Sequence, residues 1–149
     1  MPLPLVSVQR KPDAPPGAFE DDVKFLAEIG VRSIVAALDI PRHREIFQRC
    51  GFHYLSLQVP DGLPPTVEQA DRLLAFYQIS PKPLIAHCEG GIGRTATLLA
   101  LILLRQGLSA QAAVRAVKTV MPPALEISQQ VEFISKYEKR LKSRTADRD

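Results

Sequence analysis

The chain has 149 residues, 46% of them hydrophobic, so we expect one globular domain spanning 1–149 with a sizeable core. Its 19 Lys and Arg against 16 Asp and Glu give a formal charge of +3 without a dense basic run, so we expect no nucleic-acid partner. Two distant cysteines argue against a disulfide scaffold and favour a reducing compartment, the cytoplasm. The start lacks the pattern of a signal peptide, and no apolar run is long enough to span a bilayer, so we expect no membrane partner.

Predicted helices and strands alternate through the first part of the chain. Apolar residues at helical spacing, closed by Gly30, predict the first helix, and β-branched residues predict the strand that follows it. A proline near its start and a glycine after its end mark the second helix. In chain order we expect an edge strand at 5–8 within a proline-rich segment 1–18, a helix at 19–29, a strand at 31–38, a helix at 41–50 and a strand at 53–59.

The second part begins with a turn-rich loop, 60–65, followed by a helix that opens on a capping box from Thr66 to Gln69. Strands that alternate with helices imply parallel pairing with helices on both faces. The predicted fold is therefore α/β, with a mostly parallel central sheet of four to five strands flanked by helices. The remaining expected elements are a strand at 84–86, helices beginning near Arg94, Ser109 and Ser128, and a charged, frayed tail at 142–149.

The predicted helices carry apolar stripes that we expect to face the core. The stripes reach the helix ends at Ile29, Val67 and Val120. The segment after Arg94 differs, because it is apolar on nearly every face. That pattern is typical of a helix buried in the middle of a domain.

The loop between the third long strand and this buried helix has the composition of an oxyanion site. Three glycines, Gly90, Gly91 and Gly93, allow successive backbone N–H groups to point inward as an anion nest, and the following helix adds its positive end. Arg94 can offer two parallel donors to two phosphate oxygens. Cys88 opens the loop and faces those amides as a thiolate nucleophile. The predicted chemistry is attack of sulfur on phosphorus, followed by hydrolysis of a phosphocysteine.

The same residues resemble a known signature. His87-Cys88-x-x-Gly91-x-x-Arg94-Thr95 is similar to the His-Cys-x5-Arg-Ser/Thr motif of cysteine-based protein tyrosine and dual-specificity phosphatases, of the small single-domain dual-specificity type. The resemblance implies a phosphotyrosine protein phosphatase-like fold and hydrolysis of phosphotyrosine, with phosphoserine and phosphothreonine as further substrates. It implies no metal and no cofactor. It also implies a phosphate-binding loop made by Glu89, Gly90, Gly91, Ile92, Gly93 and Arg94.

A general acid must protonate the leaving oxygen, and a carboxyl group on a nearby loop is the usual solution. Asp61 is the candidate, because its loop follows a predicted strand and Pro60-Asp61-Gly62-Leu63-Pro64-Pro65 resembles the general-acid loop of the family. The alternative is that Asp-Gly only forms a turn.

Other residues around the signature have supporting roles in the family. The resemblance implies that His87 supports the loop and the ionised sulfur, the alternative being a satisfied core histidine. Thr95 is expected to donate its hydroxyl to the sulfur, the alternative being a helix N-cap. The segment 121–130 resembles a stretch that ends in a water-positioning glutamine, so Gln130 is the candidate, against a solvent-facing helix residue. Cys50 is expected to be a buried bystander rather than a redox partner of Cys88.

The expected partner is a phosphorylated protein, and we expect a monomer. Two other function classes remain open from the sequence. One is a phosphoprotein-binding module without turnover. The presence of Cys88, Arg94 and Asp61 argues against it. The other is a lipid phosphatase or an RNA 5′-phosphatase of the same superfamily. Lipid is the less favoured substrate because the loop has no lysine and carries Glu89.

Overall fold

Three parallel strands and six helices make up the part of the chain that the structure, a computed structural model, describes: residues 17–88 and 93–147. Helices and strands alternate up to the last strand, after which three helices follow, as expected. The elements are α1 (Ala18–Glu28), β1 (Ser33–Ala36), α2 (Pro41–Arg49), β2 (His53–Ser56), α3 (Val67–Ile79), β3 (Leu84–His87), α4 (Arg94–Arg105), α5 (Ala110–Val120) and α6 (Ser128–Ala146).

The sheet has the order β2-β1-β3, with β1 in the centre and parallel to both neighbours. Ala36 at the end of β1 pairs with Ser56 at the end of β2 and with His87 at the end of β3. Because the three strands end in register, the loops that follow them start from one edge of the sheet. That edge is where ligands bind in open parallel sheets.

The sheet of the described residues has three strands, not the four to five expected. The edge strand expected at 5–8 lies outside the described residues. β1 and β2 are shorter than the strands predicted at 31–38 and 53–59, whereas β3 is one residue longer than the strand predicted at 84–86. Just beyond the ends of β1 and β2 the backbone stays bonded, with Ala37 N–H donating to His87 O over 2.8 Å and Leu57 N–H donating to Ala36 O over 2.7 Å.

Both faces of the sheet are covered, and successive strand residues serve opposite faces. Ile34 and Ile85 pack with α1 and α2 around Phe47. Val35 and Ala86 pack on the other side, with α3, α4, α5 and α6. The central helix α4 is buried almost throughout, as its all-round apolar character predicts. This rigid centre holds the first turn of α4 at the site edge.

Two sequence predictions about the helices are wrong in detail. Ile29, Val67 and Val120 are exposed by 54%, 39% and 56%, because each stands at or just beyond a helix end, where the helix leaves the core. The tail expected to fray from residue 142 is helical as far as Ala146. Arg144 reaches Asp71 of α3 over 3.2 Å and holds the last turns against the domain.

Among the described residues, no helix combines the length and the apolar character needed to cross a membrane.

Candidate active site

Cys88 and Thr95 meet where β3 ends and α4 begins. Cys88 follows directly after β3 and is only 4% exposed. Thr95 Oγ1 donates a hydrogen bond to Cys88 Sγ over 2.8 Å. The N-cap of α4 is Gly93, so Thr95 is not the cap that the sequence left as an alternative. A hydroxyl donor at this distance can stabilise the sulfur when a bond to phosphorus breaks.

Most of the phosphate-binding loop predicted from the sequence, Glu89, Gly90, Gly91 and Ile92, lies outside the described residues. Its last two residues, Gly93 and Arg94, are described, and Gly93 is bonded to α4. The Gly93 carbonyl accepts from the Thr97 backbone over 3.0 Å and from the Thr97 hydroxyl over 2.8 Å. The N-terminal end of a long, buried helix therefore stands directly behind this loop, where its dipole favours an anion.

Arg94 links the first turn of α4 to the loop that carries Asp61. One guanidinium nitrogen donates to the Val59 carbonyl over 3.0 Å, and Nε lies 3.8 Å from Asp61 Oδ1. The Arg94 side chain is 6% exposed, whereas that of Asp61 is 94% exposed. An ion pair with one partner so exposed is weak. The important result is spatial: the arginine of the signature and the candidate acid are neighbours.

The loop that carries Asp61, between Gln58 and Thr66, contains a tight turn beside Arg94. Leu63 N–H donates to Pro60 O over 3.1 Å, and Gly62 has φ 79°, a left-handed conformation that favours glycine. The Asp-Gly pair thus forms a turn, and the turn aims its aspartate into solvent beside the arginine. The two interpretations offered by the sequence are compatible.

His87 is the last residue of β3 and is largely buried. Burial lowers the pKa of His87 to about 4, and the positive charges of His43 and Arg94 act in the same direction. The imidazole is therefore neutral at physiological pH and adds no positive charge next to Cys88. Within residues 17–88 and 93–147, its Nε2 has no hydrogen-bond partner.

Gln130, in the first turn of α6, is completely buried and does not face solvent. Its amide lies against the end of the phosphate loop, since a methyl group at Gly93 would come within 3.1 Å of Nε2. Neither Oε1 nor Nε2 has a hydrogen-bond partner among the described residues. A buried amide normally has its bonds satisfied by protein or water, so this one is available to a bound molecule.

Cys50 and Cys88 serve opposite sides of the sheet. Cys50 is half-buried at the end of α2 and packs against the apolar cluster of Ile34 and Ile85, whereas Cys88 belongs to the cluster on the other face. This placement agrees with the expected bystander role of Cys50.

Sequence reasoning missed several neighbours of the site. The His43 ring lies 3.9 Å from that of Phe19 in a stacked pair and 6.2 Å from that of His87. Asp39 and Gln58 form a hydrogen bond of 3.0 Å across the ends of β1 and β2. No motif surrounds these residues, and their proximity follows from strand register, which a single sequence does not specify.

Comparisons with known proteins identify related phosphatases. The model of a family described as "Swiss Army Knife protein, DSP-PTPase phosphatase domain" matches residues 15–146. Protein tyrosine phosphatase type IVA 2 of Mus musculus is 28% identical over 132 residues, which cover 83% of this chain and 78% of the relative.

Solved structures show the same fold. The active form of Tk-PTP matches with a TM-score of 0.74 at 24% identity, covering 91% of this chain and 90% of that one. PTPMT1 in complex with PI(5)P matches with a TM-score of 0.72 at 19% identity, covering 84% and 88%.

Proposed function

This chain belongs to the DSP-PTPase phosphatase domain family and is a cysteine-dependent protein phosphatase, and we propose that it hydrolyses phosphotyrosine through a phosphocysteine on Cys88. The observation that carries the proposal is the 2.8 Å hydrogen bond from Thr95 to Cys88 Sγ, which equips this sulfur both to attack and to leave. Phosphoserine and phosphothreonine are slower substrates, because an alkoxide is a poorer leaving group than a phenolate. A reducing cytoplasm suits a mechanism that needs this thiol.

In the first step, the Cys88 thiolate attacks phosphorus and the bond to the ester oxygen breaks. Asp61, beside Arg94, gives its proton to that departing oxygen. The Arg94 guanidinium binds two phosphoryl oxygens, and the backbone of residues 89–93 binds the rest of the charge. The products of this step are the free alcohol and a phosphocysteine.

In the second step, water attacks phosphorus and the sulfur leaves as a thiolate. Asp61, now ionised, accepts the proton of the water, and Thr95 stabilises the departing sulfur. Gln130 orients the water, a role that suits a buried amide without a hydrogen-bond partner among the described residues. Inorganic phosphate is released and the enzyme returns to its starting state.

The test is hydrolysis of para-nitrophenyl phosphate in the presence of a chelator. We expect wild type to turn over and Cys88→Ser to be inactive, with phosphate bonded to sulfur after chemical quenching of wild type. A phosphoprotein-binding module without turnover would give inactive wild type. Hydrolysis that survives in Cys88→Ser would overturn the proposed nucleophile.

Asp61→Asn tests the acid. We expect turnover of alkyl and phenyl phosphates to fall about a hundredfold or more, because the leaving oxygen no longer receives a proton. Binding of substrate should persist, since the phosphate contacts come from other residues. Unchanged turnover of these poor leaving groups would remove Asp61 from the mechanism.

A lipid phosphatase is the second candidate, favoured by the fold likeness to PTPMT1, whose structure contains PI(5)P. A panel that compares phosphopeptides with phosphoinositides at equal concentration separates the two. We expect the higher kcat/KM on phosphotyrosine peptides. A preference for phosphoinositides would reverse the assignment.

A further inference from the structure

The loop that carries Asp61 is closed at its base by one side chain. The two ends of the loop are Gln58, just beyond β2, and Thr66, the N-cap of α3. Gln69, in the first turn of α3, contacts both. Its Nε2 donates to the Gln58 carbonyl over 2.7 Å, and its Oε1 accepts from the Thr66 backbone N–H over 2.9 Å.

Half of this arrangement is a capping box. Thr66 Oγ1 accepts from Gln69 N–H over 3.1 Å, and the Gln69 side chain returns the bond to the Thr66 backbone. Glutamate serves a capping box as well as glutamine does, because only an acceptor oxygen is needed. The bond to Gln58 is different, since it requires the amide N–H₂ that glutamate lacks.

Gln58 is also held from its other side. Its Nε2 donates to Asp39 Oδ2 over 3.0 Å, and Asp39 in turn is paired with Arg44 of α2. A continuous set of polar contacts therefore runs from α2, across the strand ends, to α3. The base of the loop is therefore bonded on both sides, to Asp39 through the Gln58 side chain and to α3 through Gln69.

The Asp61 side chain does little to fix its own position. It is 94% exposed, and its ion pair with Arg94 Nε spans 3.8 Å. The loop backbone must therefore supply the placement, and Gln69 joins the two ends of that backbone directly. A misplacement of about 1 Å in a catalytic group can cost on the order of a hundredfold in rate.

We propose that Gln69 is a positioning residue that clamps the acid loop and holds Asp61 at the leaving oxygen. The inference rests on the proposed role of Asp61 as general acid. Gln69 does not touch the substrate, and it acts only through the position of the loop.

Gln69→Glu separates the clamp from the cap. The new carboxylate keeps the acceptor for Thr66 but repels the Gln58 carbonyl. We expect kcat/KM for a phosphoserine peptide, whose leaving oxygen needs the acid, to fall about tenfold or more. We expect kcat/KM for dinitrophenyl phosphate to change less than about twofold, because its leaving group needs no proton and kcat/KM does not include the hydrolysis of the phosphocysteine, in which Asp61 is the base. Equal losses on both substrates, or no loss on either, would overturn the clamp.

Two controls match this variant. Gln129→Glu places the same new charge on an exposed position in the first turn of α6, and we expect the ratio of the two rates to stay at the wild-type value. Thr66→Ala removes the side-chain half of the cap, which should lower Tm by several degrees while leaving that ratio unchanged. A changed ratio in Gln129→Glu would assign the effect to charge and overturn the clamp.

Asp61→Asn distinguishes failure of the clamp from failure of the acid. If Asp61→Asn slows the phosphoserine peptide and Gln69→Glu does not, the clamp is wrong and the acid stands. If Asp61→Asn has no effect, Asp61 is not the general acid, and the positioning role of Gln69 is wrong as well. The double variant should be no slower than Asp61→Asn alone, because a clamp without its acid has nothing to position.

Discussion

At the scale of single residues, the site contains polar atoms that the described residues leave without partners. They belong to two buried side chains, Gln130 with both amide atoms and His87 with Nε2. Leaving one such group unbonded in a folded protein costs about 1–3 kcal/mol. A water or a bound molecule can complete such groups, and these two lie beside described residues of the signature, His87 next to Cys88 and Gln130 against Gly93.

Gln130→Ala should separate the two chemical steps. Without the amide, the attacking water loses its orientation, so we expect phosphocysteine to accumulate and steady-state kcat to fall about tenfold or more. The first turnover should remain fast. Rapid quenching with detection of the phosphorylated protein measures the accumulation, and Gln129→Ala is the matched exposed control. A uniformly slow enzyme without accumulated intermediate would argue against a water-positioning role.

His87 predicts how stability depends on pH. Its pKa is about 4 in the folded chain and 6.5 as a free side chain, so the unfolded state binds a proton first as pH falls. The free energy of unfolding should therefore drop between about pH 6.5 and pH 4, by at most about 3 kcal/mol, and this contribution should level off below pH 4.

Denaturant titrations across that range measure the effect. A His87→Asn variant, which lacks the titrating ring, should show a flatter profile. If the free energy of unfolding falls equally in wild type and variant between about pH 6.5 and pH 4, a group other than His87 causes the loss of stability.

Sequence reasoning predicted the residues that carry local signatures. Cys88, Arg94 and Thr95 stand at fixed spacing, and the structure brings the threonine hydroxyl to the sulfur. Gln69 shows which contacts a sequence does not predict. Its bond to Thr66 is local and is predicted by the capping-box pattern. Its bond to Gln58 joins residues eleven apart and depends on the shape of the loop.

At the scale of elements, α6 is fastened to α3 by a polar cluster around Asp71. Tyr137 O–H donates to Asp71 Oδ1 over 2.5 Å, and Arg140 and Arg144 lie 3.3 and 3.2 Å from the same carboxylate. Burial opposes ionisation of Asp71, but the bonds from Tyr137 and Arg140 outweigh it and lower the pKa of Asp71. Burial and the same carboxylate raise the pKa of Tyr137.

Tyr137→Phe should destabilise this contact without touching the chemistry. The variant keeps the buried ring and removes one hydrogen bond to a charged group, which is worth about 1.5–3 kcal/mol. We expect the free energy of unfolding to fall by about that amount and kcat to stay at the wild-type value. Arg144→Ala, which removes an exposed pair, should cost less than about 1 kcal/mol. Equal losses in both variants would contradict a special role for the tyrosine.

Element type followed from periodicity, but element ends did not. The predicted apolar stripes of α1, α3 and α5 include the terminal residues Ile29, Val67 and Val120. These three are exposed because the ends of the helices lie beyond the core. The prediction for the end of α6 was wrong in the opposite direction, because the helix extends further than expected. Its charged residues are typical of a frayed tail, but Arg144 is bonded to Asp71, 73 positions away.

At the scale of the whole molecule, the sheet β2-β1-β3 separates two apolar clusters, and α4 runs through the larger one. The alternation of helices and strands predicted this architecture because parallel strands need helical crossovers. The number of strands was harder to predict, since a single sequence does not show which apolar runs pair. The helix that carries Arg94 and Thr95 is thus also the centre of the core.

Leu98→Ala tests whether α4 is the centre of the core. Leu98 is fully buried in α4, one turn beyond Arg94, and the cavity left by the truncation should cost about 2–5 kcal/mol. That is a large share of the 5–15 kcal/mol typical of a domain, so Tm should fall steeply. Phe25→Ala, at a position 58% exposed, should change stability much less. Similar losses in thermal melts of the two variants would contradict the placement of the core.

The bond from Arg94 to Val59 joins the two working loops through a main-chain oxygen. Every amino acid supplies that oxygen, so a substitution at position 59 leaves the acceptor in place as long as the chain keeps its path. Relatives that share only about a quarter of their residues can therefore preserve this junction while their side chains drift. A comparison of backbone paths, rather than an alignment of residue identities, is therefore what would show this junction in a relative.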